Sequence, residues 1–179
     1  MHANRAVLAL FAYRAAPPNQ RSLTNKELPA TVSPMDCVYC TLPEISERAI
    51  VRERHVWAFP TNIPIVPGHL IVLPTRCVAR IEELSEEELH ALMDLRLRLK
   101  RALHLVFQAS GFNYAWNEGE SAGQSIPHLH LHIVPRNVGD AGVLQYEPRE
   151  FLYRPGSRAV TPAAELAEIA QAVRVNLRS

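Results

Sequence analysis

The chain has 179 residues, of which 47% are hydrophobic and 21% charged, so it carries enough apolar material for the core of one globular domain. Nineteen Lys and Arg residues against eighteen Asp and Glu residues give a formal net charge of +1, which excludes strong attraction to nucleic acid or to an acidic membrane surface. The candidate targeting segment, Ala6 to Tyr13, is far shorter than the ~20 apolar residues that span a bilayer. The composition predicts a soluble protein with neither a membrane nor a nucleic-acid partner.

The N-terminal stretch differs in texture from the rest of the chain. Residues 1–34 are rich in proline and small polar residues, which is typical of an extended or poorly ordered leader. Short apolar runs follow, punctuated by proline and glycine and without an internal repeat. We therefore predict a leader over residues 1–34 and a single domain over residues 35–179.

Five short apolar runs predict β-strands, and two longer runs with helical periodicity predict helices. The expected strands are residues 49–51, 55–59, 69–74, 112–116 and 128–135. A long helix should begin after Ser85, which forms a capping box with Glu88, and should stop at Gly111. Thr161 and Pro162 open a last amphipathic helix. These elements predict an α+β fold, with a five-stranded antiparallel sheet and two main helices.

The last predicted strand contains a histidine at every second position. His128, His130 and His132 alternate with leucines in the sequence QSIPHLHLHIVPR. Because side chains alternate across a strand, the imidazoles should share one face while the leucines pack against the helices. The histidines could be ordinary packed or exposed residues, or they could bind a metal that keeps an open position for water. In a third interpretation, a neutral imidazole attacks phosphorus.

The loop before that strand favours chemistry at phosphorus. Its sequence NEGESAGQS supplies an amide at Asn117, a hydroxyl at Ser125 and flexible backbone at Gly119 and Gly123. Such groups are typical of sites that cradle phosphate oxygens. Each of them alone is an ordinary loop residue, but their position directly before the histidines makes the combination informative.

Three cysteines form a second candidate cluster. Cys37 and Cys40 make a Cys-x-x-Cys pair, and Cys77 lies at the far end of the third predicted strand. This pattern suits a metal better than a disulfide framework, and it favours a reducing, cytoplasmic location. A thioredoxin-like redox pair would require a βαβ setting, which the predicted elements lack. Buried or free thiols that bind nothing are the alternative.

These motifs resemble those of a known family. HLHLHIV matches the His-x-His-x-His signature of the histidine triad superfamily, and PIVPGHLIVLP and NEGESAGQS resemble the strand entry and the loop of its Fhit and Hint branches. The resemblance runs from about Cys37 to Arg136. It implies a nucleotidyl hydrolase that cleaves dinucleoside polyphosphates or nucleoside phosphoramidates at the α-phosphate through a covalent nucleotidyl-histidine intermediate. It also implies a homodimer, with the long helix and the strand from Phe112 to Trp116 as contact surfaces.

The resemblance also assigns roles to individual residues. His130 would be the nucleophile, His132 would contact the phosphate, and His69 would support the nucleophile from the adjacent strand. Ser125 would assist the leaving group. The residues implied in nucleotide or phosphate binding are Asn117, Gly123, Gln124, Ser125, His132, Thr61 and Asn62. Thr61 stands where family members often have an acidic residue for the ribose hydroxyls, so sugar and base preference cannot be carried over from the family.

In members with an N-terminal cysteine pair, the resemblance implies a structural zinc site. A residue just after the third strand and the first triad histidine complete it, and Cys77 stands here in place of the usual histidine. The expected site is a closed tetrahedral set of cysteines and one histidine: Cys37, Cys40, Cys77 and His128. The three histidines would then have different functions.

Other functions fit the same residues. Phosphate or another acceptor could replace water in the second step, which would make the protein a phosphorylase or nucleotidyltransferase. The chain could instead be a nucleotide-binding module with little turnover, or a metal-dependent hydrolase that uses all three histidines. The remaining histidines and the tryptophans are interpreted as structural or surface residues and as core residues, respectively: His55, His90 and His104, and Trp57 and Trp116.

Overall fold

The structure is a computed structural model that describes residues 33–140 and 160–177. The predicted leader lies outside the described residues except for its last two positions, so the boundary of the single domain stays a prediction. Among the described residues, no helix combines the length and the hydropathy needed to cross a bilayer.

The sheet is antiparallel throughout and has the strand order β1-β2-β3-β5-β4. Its strands are β1 (Val51–Arg52), β2 (Val56–Pro60), β3 (Leu70–Pro74), β4 (Gly111–Ala115) and β5 (Leu131–Arg136). All five lie close to the predicted runs, so the α+β fold with a five-stranded antiparallel sheet is confirmed. In the described part of the chain, β1 and β4 form the two edges of the sheet.

The last strand, β5, begins later than predicted, at Leu131 rather than His128. The preceding segment leaves the sheet because its backbone bonds elsewhere: Leu129 N–H donates to the carbonyl of Val78 at 2.6 Å instead of to a neighbouring strand. Among the three triad histidines, His132 alone belongs to the paired strand. The first part of the segment that carries the three histidines, residues 128–132, therefore packs against the chain that follows β3. We call this segment the triad segment.

The described α-helices are α1 (Val38–Thr41), α2 (Pro43–Glu47), α3 (Glu86–Phe107) and α4 (Ala163–Leu177). The capping box of α3 is confirmed, since Glu88 N–H donates to Ser85 Oγ at 3.2 Å and Ser85 N–H donates to Glu88 Oε2 at 2.8 Å. The predicted stop at Gly111 is wrong. The helix ends at Phe107 because Gln108 turns the backbone into the left-handed region with a φ of 53°, and Gly111 then opens β4.

Side chains of the sheet alternate between two buried layers. On one face, α3 and α4 cover the main core, which includes Ala58 and Val72. On the other face, Tyr39 and α2 cover a smaller cluster of strand residues: Trp57, Phe59, Ile71 and Leu73. Trp57 is therefore a core residue, as predicted. Trp116 follows the last residue of β4 and is 42% exposed, so its prediction as a core residue is wrong.

The loop between β2 and β3 is pressed against the end of α3 at Gly68. Gly68 has a φ of 83°, and a Cβ atom there would lie 2.7 Å from the ring of Phe107. Glycine satisfies both conditions because it tolerates a positive φ and has no side chain to clash. This contact fixes the backbone of the next residue, His69, immediately before β3.

An ion pair joins the loop after β3 to the beginning of α3. Arg76 Nε and Nη2 donate to the two carboxylate oxygens of Glu88 at 3.0 and 2.7 Å. These bonds lower the pKa of the Glu88 carboxyl. Because Arg76 immediately precedes Cys77, the bidentate pair also sets the position of Cys77 relative to the helix.

Candidate active site and metal cluster

The predicted metal ligands lie together in the structure: Cys37, Cys40, Cys77 and His128. Their ligand atoms all fall within 4.8 Å of one another. His128 Nδ1 lies 3.3 Å from Cys37 Sγ and 3.6 Å from Cys40 Sγ. A tetrahedral zinc with ordinary bond lengths would place its ligand atoms about 3.5 to 3.8 Å apart. The cluster, which we call the cysteine cluster, could therefore hold a metal ion.

The hydrogen bonds of His128 leave the correct nitrogen for a metal. Nε2 lies 3.0 Å from the carbonyl oxygen of Pro74, which can only accept, so this nitrogen carries the proton. Nδ1 then directs a lone pair at the thiols, and the carbonyl orients the ring. Burial lowers the pKa of His128 to about 4, so its ring is neutral near pH 7. Partial burial, and after it the neighbouring Cys37 thiol, raise the pKa of the Cys40 thiol to about 11, so a cation would have to displace its proton.

His130 has the opposite arrangement. Its Nδ1 lies 2.7 Å from the carbonyl oxygen of His128, so Nδ1 donates and Nε2 retains the lone pair. The residue is 5% exposed, and burial lowers its pKa, which favours the neutral ring. A neutral imidazole with an unprotonated Nε2 is the form that can attack an electrophile.

His69 and His132 form a directed hydrogen-bond pair. The Ile65 N–H donates to His69 Nδ1 at 3.2 Å, so that nitrogen is unprotonated and His69 Nε2 carries the proton. His69 Nε2 lies 2.9 Å from His132 Nδ1 and donates to it. A neutral His132 then carries its own proton on Nε2. Because the His132 ring lies 5.0 Å from the His130 ring, an N–H donor and a lone pair occur in one site.

The loop predicted to bind phosphate, residues 117–125, is anchored to the segment after β3; we call it the phosphate loop. Gln124 is buried, its Oε1 accepts the Gly119 N–H at 2.7 Å, and its Nε2 donates to the Ala79 carbonyl at 2.9 Å. Glu118 Oε1 accepts the Ile81 N–H at 3.0 Å. The Gln124 amide, predicted to bind nucleotide, thus holds backbone groups at both of its ends.

Two glycines let the phosphate loop turn. Gly119 and Gly123 have φ values of 84° and 87°, which side chains disfavour, and a short 3-10 turn lies between them. Asn117 is half-buried before this turn, and Ser125 is exposed after it. The loop therefore takes its shape from Gln124 and the glycines, and offers Asn117 and Ser125 as side-chain donors.

The predicted ribose residues lie beside His69. Thr61 N–H donates to the His69 carbonyl at 3.1 Å, which brings Thr61 opposite His69 at the end of β2. The Asn62 carbonyl accepts the Thr161 N–H at 2.9 Å, so the segment before α4 joins the same corner. Both side chains are half-buried.

Sequence reasoning missed two groups that hold the histidines. Tyr39, inside the Cys-x-x-Cys motif, lies edge-on to His128 and His130, with ring centroids 6.0 and 5.2 Å away. The Ile65 amide orients His69. The position of Tyr39 between two cysteines was a signal in the sequence, whereas a backbone amide leaves none.

The fold and the arrangement of histidines define a class of α+β proteins with a histidine triad beside a cysteine cluster. A family model described as the HIT domain matches residues 42–139, which is more than half of the chain. The chain therefore belongs to the HIT domain family. The match contains the triad, the phosphate loop and His69, while Cys37 and Cys40 precede it.

Solved structures share the fold. A Hit-like protein from Bartonella henselae aligns with a TM-score of 0.66 and 23% identity, covering 82% of this chain and 98% of that chain. A Zn-bound histidine triad family protein from Mycobacterium smegmatis aligns with a TM-score of 0.63 and 24% identity, covering 82% of this chain and 96% of that chain.

Curated relatives match over about half of the chain. An asymmetrical bis(5'-nucleosyl)-tetraphosphatase from Schizosaccharomyces pombe is 35% identical over 96 residues, which cover 54% of this chain and 53% of that protein. An AP-4-A phosphorylase from Mycobacterium tuberculosis is 36% identical over 110 residues, covering 59% and 56%. A bis(5'-adenosyl)-triphosphatase from Dictyostelium discoideum is 36% identical over 77 residues, covering 43% and 52%. The matches thus span about half the length of these relatives.

Proposed function

We propose that this protein is a nucleotidyl hydrolase that cleaves dinucleoside polyphosphates or nucleoside phosphoramidates at the α-phosphate through a covalent nucleotidyl-histidine intermediate. One observation carries the proposal: the 2.7 Å bond from His130 Nδ1 to the His128 carbonyl leaves a buried neutral imidazole with an unprotonated Nε2. Membership of the HIT domain family supports it, and so do relatives named as a tetraphosphatase and a triphosphatase.

In the first step, the Nε2 lone pair of His130 attacks the α-phosphorus. A P–N bond forms while the bond from phosphorus to the leaving oxygen or nitrogen breaks, and the leaving group takes that electron pair. A leaving nitrogen also takes a proton from the solvent and departs as ammonia or an amine. The Ser125 hydroxyl assists by donating a hydrogen bond to the leaving atom. His132 donates its Nε2–H to a non-bridging phosphate oxygen, and His69 holds His132 in the tautomer that can do so.

In the second step, water attacks the phosphorus of the nucleotidyl-histidine. The P–N bond breaks, its electron pair returns to His130 Nε2, the attacking water passes one proton to the solvent, and a nucleoside monophosphate leaves. We assign the Asn117 amide to the α-phosphate. Gly123 and Gln124 act through the shape of the loop, because the turn at Gly123 and the two backbone bonds of Gln124 hold its donors in position.

Thr61 and Asn62 are assigned to the ribose and base. Thr61 is held opposite His69 by a backbone bond at the end of β2, next to the strand entry that carries His69. A hydroxyl offers one weaker contact where a carboxylate accepts bonds from both ribose hydroxyls. We therefore expect weak discrimination between ribose and deoxyribose substrates, measured as the ratio of kcat/KM for the two. A strong preference for ribose would contradict this assignment.

A second candidate function differs only in the acceptor. Inorganic phosphate would replace water in the second step and yield a nucleoside diphosphate. The relative named AP-4-A phosphorylase favours this alternative. Product identification with and without phosphate separates the two, since a diphosphate that forms only when phosphate is present would indicate a phosphorylase.

We further propose that the cysteine cluster binds a structural zinc ion. Thiolates with one imidazole form a ligand set that suits zinc, and four protein ligands leave no open position for water. When bound, zinc would stabilise the fold by joining α1, the loop after β3 and the triad segment. Metal analysis of protein purified without added zinc should give close to one zinc per chain, and a stoichiometry near zero would exclude the site.

We also propose a homodimer in the reducing cytoplasm, formed through α3 and β4. In the described part of the chain β4 is an edge strand, and unpaired strand edges favour a partner. A groove of about 610 Å³ opens beside it, lined by residues that include Lys100, His104, Phe112 and Tyr114. Light scattering at micromolar concentration should give twice the mass of the chain, and a monomer would contradict the proposal.

Turnover by the purified protein tests the main proposal. Diadenosine tetraphosphate and adenosine phosphoramidate are incubated with the wild type, with His130→Ala and with the control His90→Ala, which changes an exposed histidine on α3. We expect monophosphate release by the wild type and the control, and a loss of at least about 10³-fold in His130→Ala.

Other outcomes favour the alternatives. Equal turnover by His130→Ala would remove this residue from the mechanism. Tight nucleotide binding without product would favour a binding module, and activity lost to a chelator with the fold intact would favour a metal-dependent hydrolase.

A further inference from the structure

Tyr39 is tied to the cysteine cluster by its backbone. It lies in the single turn of α1, between Cys37 and Cys40. The amides of Cys40 and Thr41 both donate to the Cys37 carbonyl, at 2.9 and 3.0 Å. A metal held by the two cysteines would therefore fix the backbone on both sides of Tyr39.

The Tyr39 ring reaches from the cysteine cluster to the reacting histidine. Its centroid lies 6.0 Å from the His128 ring and 5.2 Å from the His130 ring, with interplanar angles of 66° and 75°. These are edge-to-face contacts, a favourable geometry for aromatic pairs. Phe59, which is 1% exposed, supports the Tyr39 ring from behind at 5.4 Å. The Tyr39 ring thus contacts both a proposed metal ligand, His128, and the proposed nucleophile, His130, and it packs against the buried Phe59.

The contact with Tyr39 bears on the orientation of the His130 ring. The hydrogen bond to the His128 carbonyl fixes the position of Nδ1 but does not by itself define the plane of the ring. The rings of Tyr39 and His132 make edge contacts with it at 5.2 and 5.0 Å, and together they restrict its plane. The direction in which Nε2 points toward a substrate depends on that plane, and attack requires close alignment.

We propose that Tyr39 is a positioning residue that couples the cysteine cluster to His130: metal binding orders α1, and α1 presents the ring that fixes the imidazole plane. The catalytic part of this inference rests on the proposed nucleotidyl transfer to His130. The coupling itself concerns the protein without substrate, so it can be tested separately.

The first experiment compares Tyr39→Phe and Tyr39→Leu as metal-loaded proteins. Phenylalanine keeps the ring edge, so kcat should stay within about twofold of the wild type, whereas leucine should lower kcat about tenfold with KM nearly unchanged. Trp57→Leu is the matched control. It removes an aromatic ring from the hydrophobic cluster that contains Phe59, and the described ring contact of Trp57 is with Phe59 rather than with a histidine. Its kcat should stay within about twofold of the wild type once folding is verified by thermal melting.

The second experiment needs no substrate. The ring ¹⁵N and ¹H signals of His130 are recorded by NMR in metal-loaded and metal-free protein. In the wild type, metal removal should shift or broaden these signals, and in Tyr39→Leu the change should be much smaller. If the metal-free protein unfolds, the comparison is made between the metal-loaded variants. The His130 signals should then be broader in Tyr39→Leu than in Tyr39→Phe.

Three results would overturn the inference. One is a folded, metal-loaded Tyr39→Leu with a wild-type kcat, and another is a loss in Tyr39→Phe as large as in Tyr39→Leu. The third is an equal NMR response to metal removal in the wild type and in Tyr39→Leu. A wild type that turns over no nucleotide substrate would refute the proposed function but leave the NMR test of the coupling valid.

Discussion

The cysteine cluster and the proposed catalytic histidines, His69, His130 and His132, use neighbouring imidazoles in opposite ways. His128 and His130 are both buried, at 0% and 5% exposure, and are separated by one leucine. His128 Nε2–H donates a hydrogen bond to the Pro74 carbonyl, and its unprotonated Nδ1 points at the thiols, whereas His130 Nδ1–H donates to the His128 carbonyl and leaves the lone pair on Nε2. The backbone carbonyl that each ring meets therefore selects the nitrogen that is left for function.

The two regions also differ in the contacts that surround their functional atoms. The cysteine cluster brings four ligand atoms within 4.8 Å of one another, which suits an ion bound by four protein ligands. The proposed catalytic histidines are held by hydrogen bonds, and the loop before them has an exposed Ser125. Damage to the first region should therefore appear as lost stability, and damage to the second as lost activity.

The largest expected contrast is between His128→Ala and His130→Ala. His128→Ala removes a proposed zinc ligand, so we expect loss of the metal and of about 4 kcal/mol or more of stability, since structural zinc contributes strongly to folding. His130→Ala should retain the metal and melt much closer to the wild type while losing turnover. Metal content and thermal melting of both variants check this contrast, and metal loss in His130→Ala would remove the distinction between the two regions.

Gly68→Ala should destabilise the fold where the loop before β3 packs on the end of α3, at a position outside both the proposed catalytic residues and the cysteine cluster. The new Cβ would meet the Phe107 ring at 2.7 Å and would strain a φ of 83°, so we expect a loss of about 2 to 4 kcal/mol. Gly139→Ala is the matched control, because φ is 92° there but no atom lies within 4 Å, and it should cost about 1 kcal/mol. Urea unfolding measures both, and equal losses would exclude the clash as the cause.

His69→Ala should lower activity with little effect on the metal. Without the donor at His69 Nε2, nothing from that residue holds His132 Nδ1 unprotonated, so His132 loses its fixed tautomer. We expect kcat to fall about 10- to 100-fold, the range typical of a lost supporting partner, with metal content unchanged. Steady-state kinetics and metal analysis together check this, and an unchanged kcat would show that His69 does not act through His132.

The elements that could be predicted from the sequence are those set by local pattern. The capping box of Ser85 and Glu88 is a contact over three residues, and the strands follow alternation along single runs. The end of α3 was missed because Gln108, not a glycine, takes the left-handed conformation. The start of β5 was missed because Leu129 bonds to Val78, which is distant in the sequence.

In the candidate site, too, features that depend on residue type could be predicted, whereas features that depend on long-range backbone contacts could not. The cysteine cluster followed from residue types and from resemblance, and the structure brings its members together. The tautomers could not be predicted, since they depend on single backbone atoms of Pro74, His128 and Ile65 that reach the rings from other segments. Residue identity suggested which side chains react, and long-range backbone contacts assign which atom of each is available.

The smallest expected effect comes from Arg76→Ala, which probes the support of Cys77. Arg76 lowers the pKa of Glu88, so the folded protein holds this carboxylate more strongly than the unfolded chain does. The resulting stability is fully present above the unfolded pKa of about 4.3 and is lost as pH falls through the lower folded pKa. Because the Arg76 side chain is 53% exposed, water screens the pair, and the loss at pH 7 should be about 1 kcal/mol or less.

The pH dependence separates this ion pair from simple packing. The difference in unfolding free energy between Arg76→Ala and the wild type should narrow as pH falls below about 4, because Glu88 becomes protonated in both proteins. Arg98→Ala, which breaks a more symmetrically exposed pair with Glu53, is the control and should cost no more than Arg76→Ala. A difference that stays constant with pH would mean that Arg76 acts through its aliphatic contacts. The charge of Glu88 would then not contribute to holding Cys77 in the cysteine cluster.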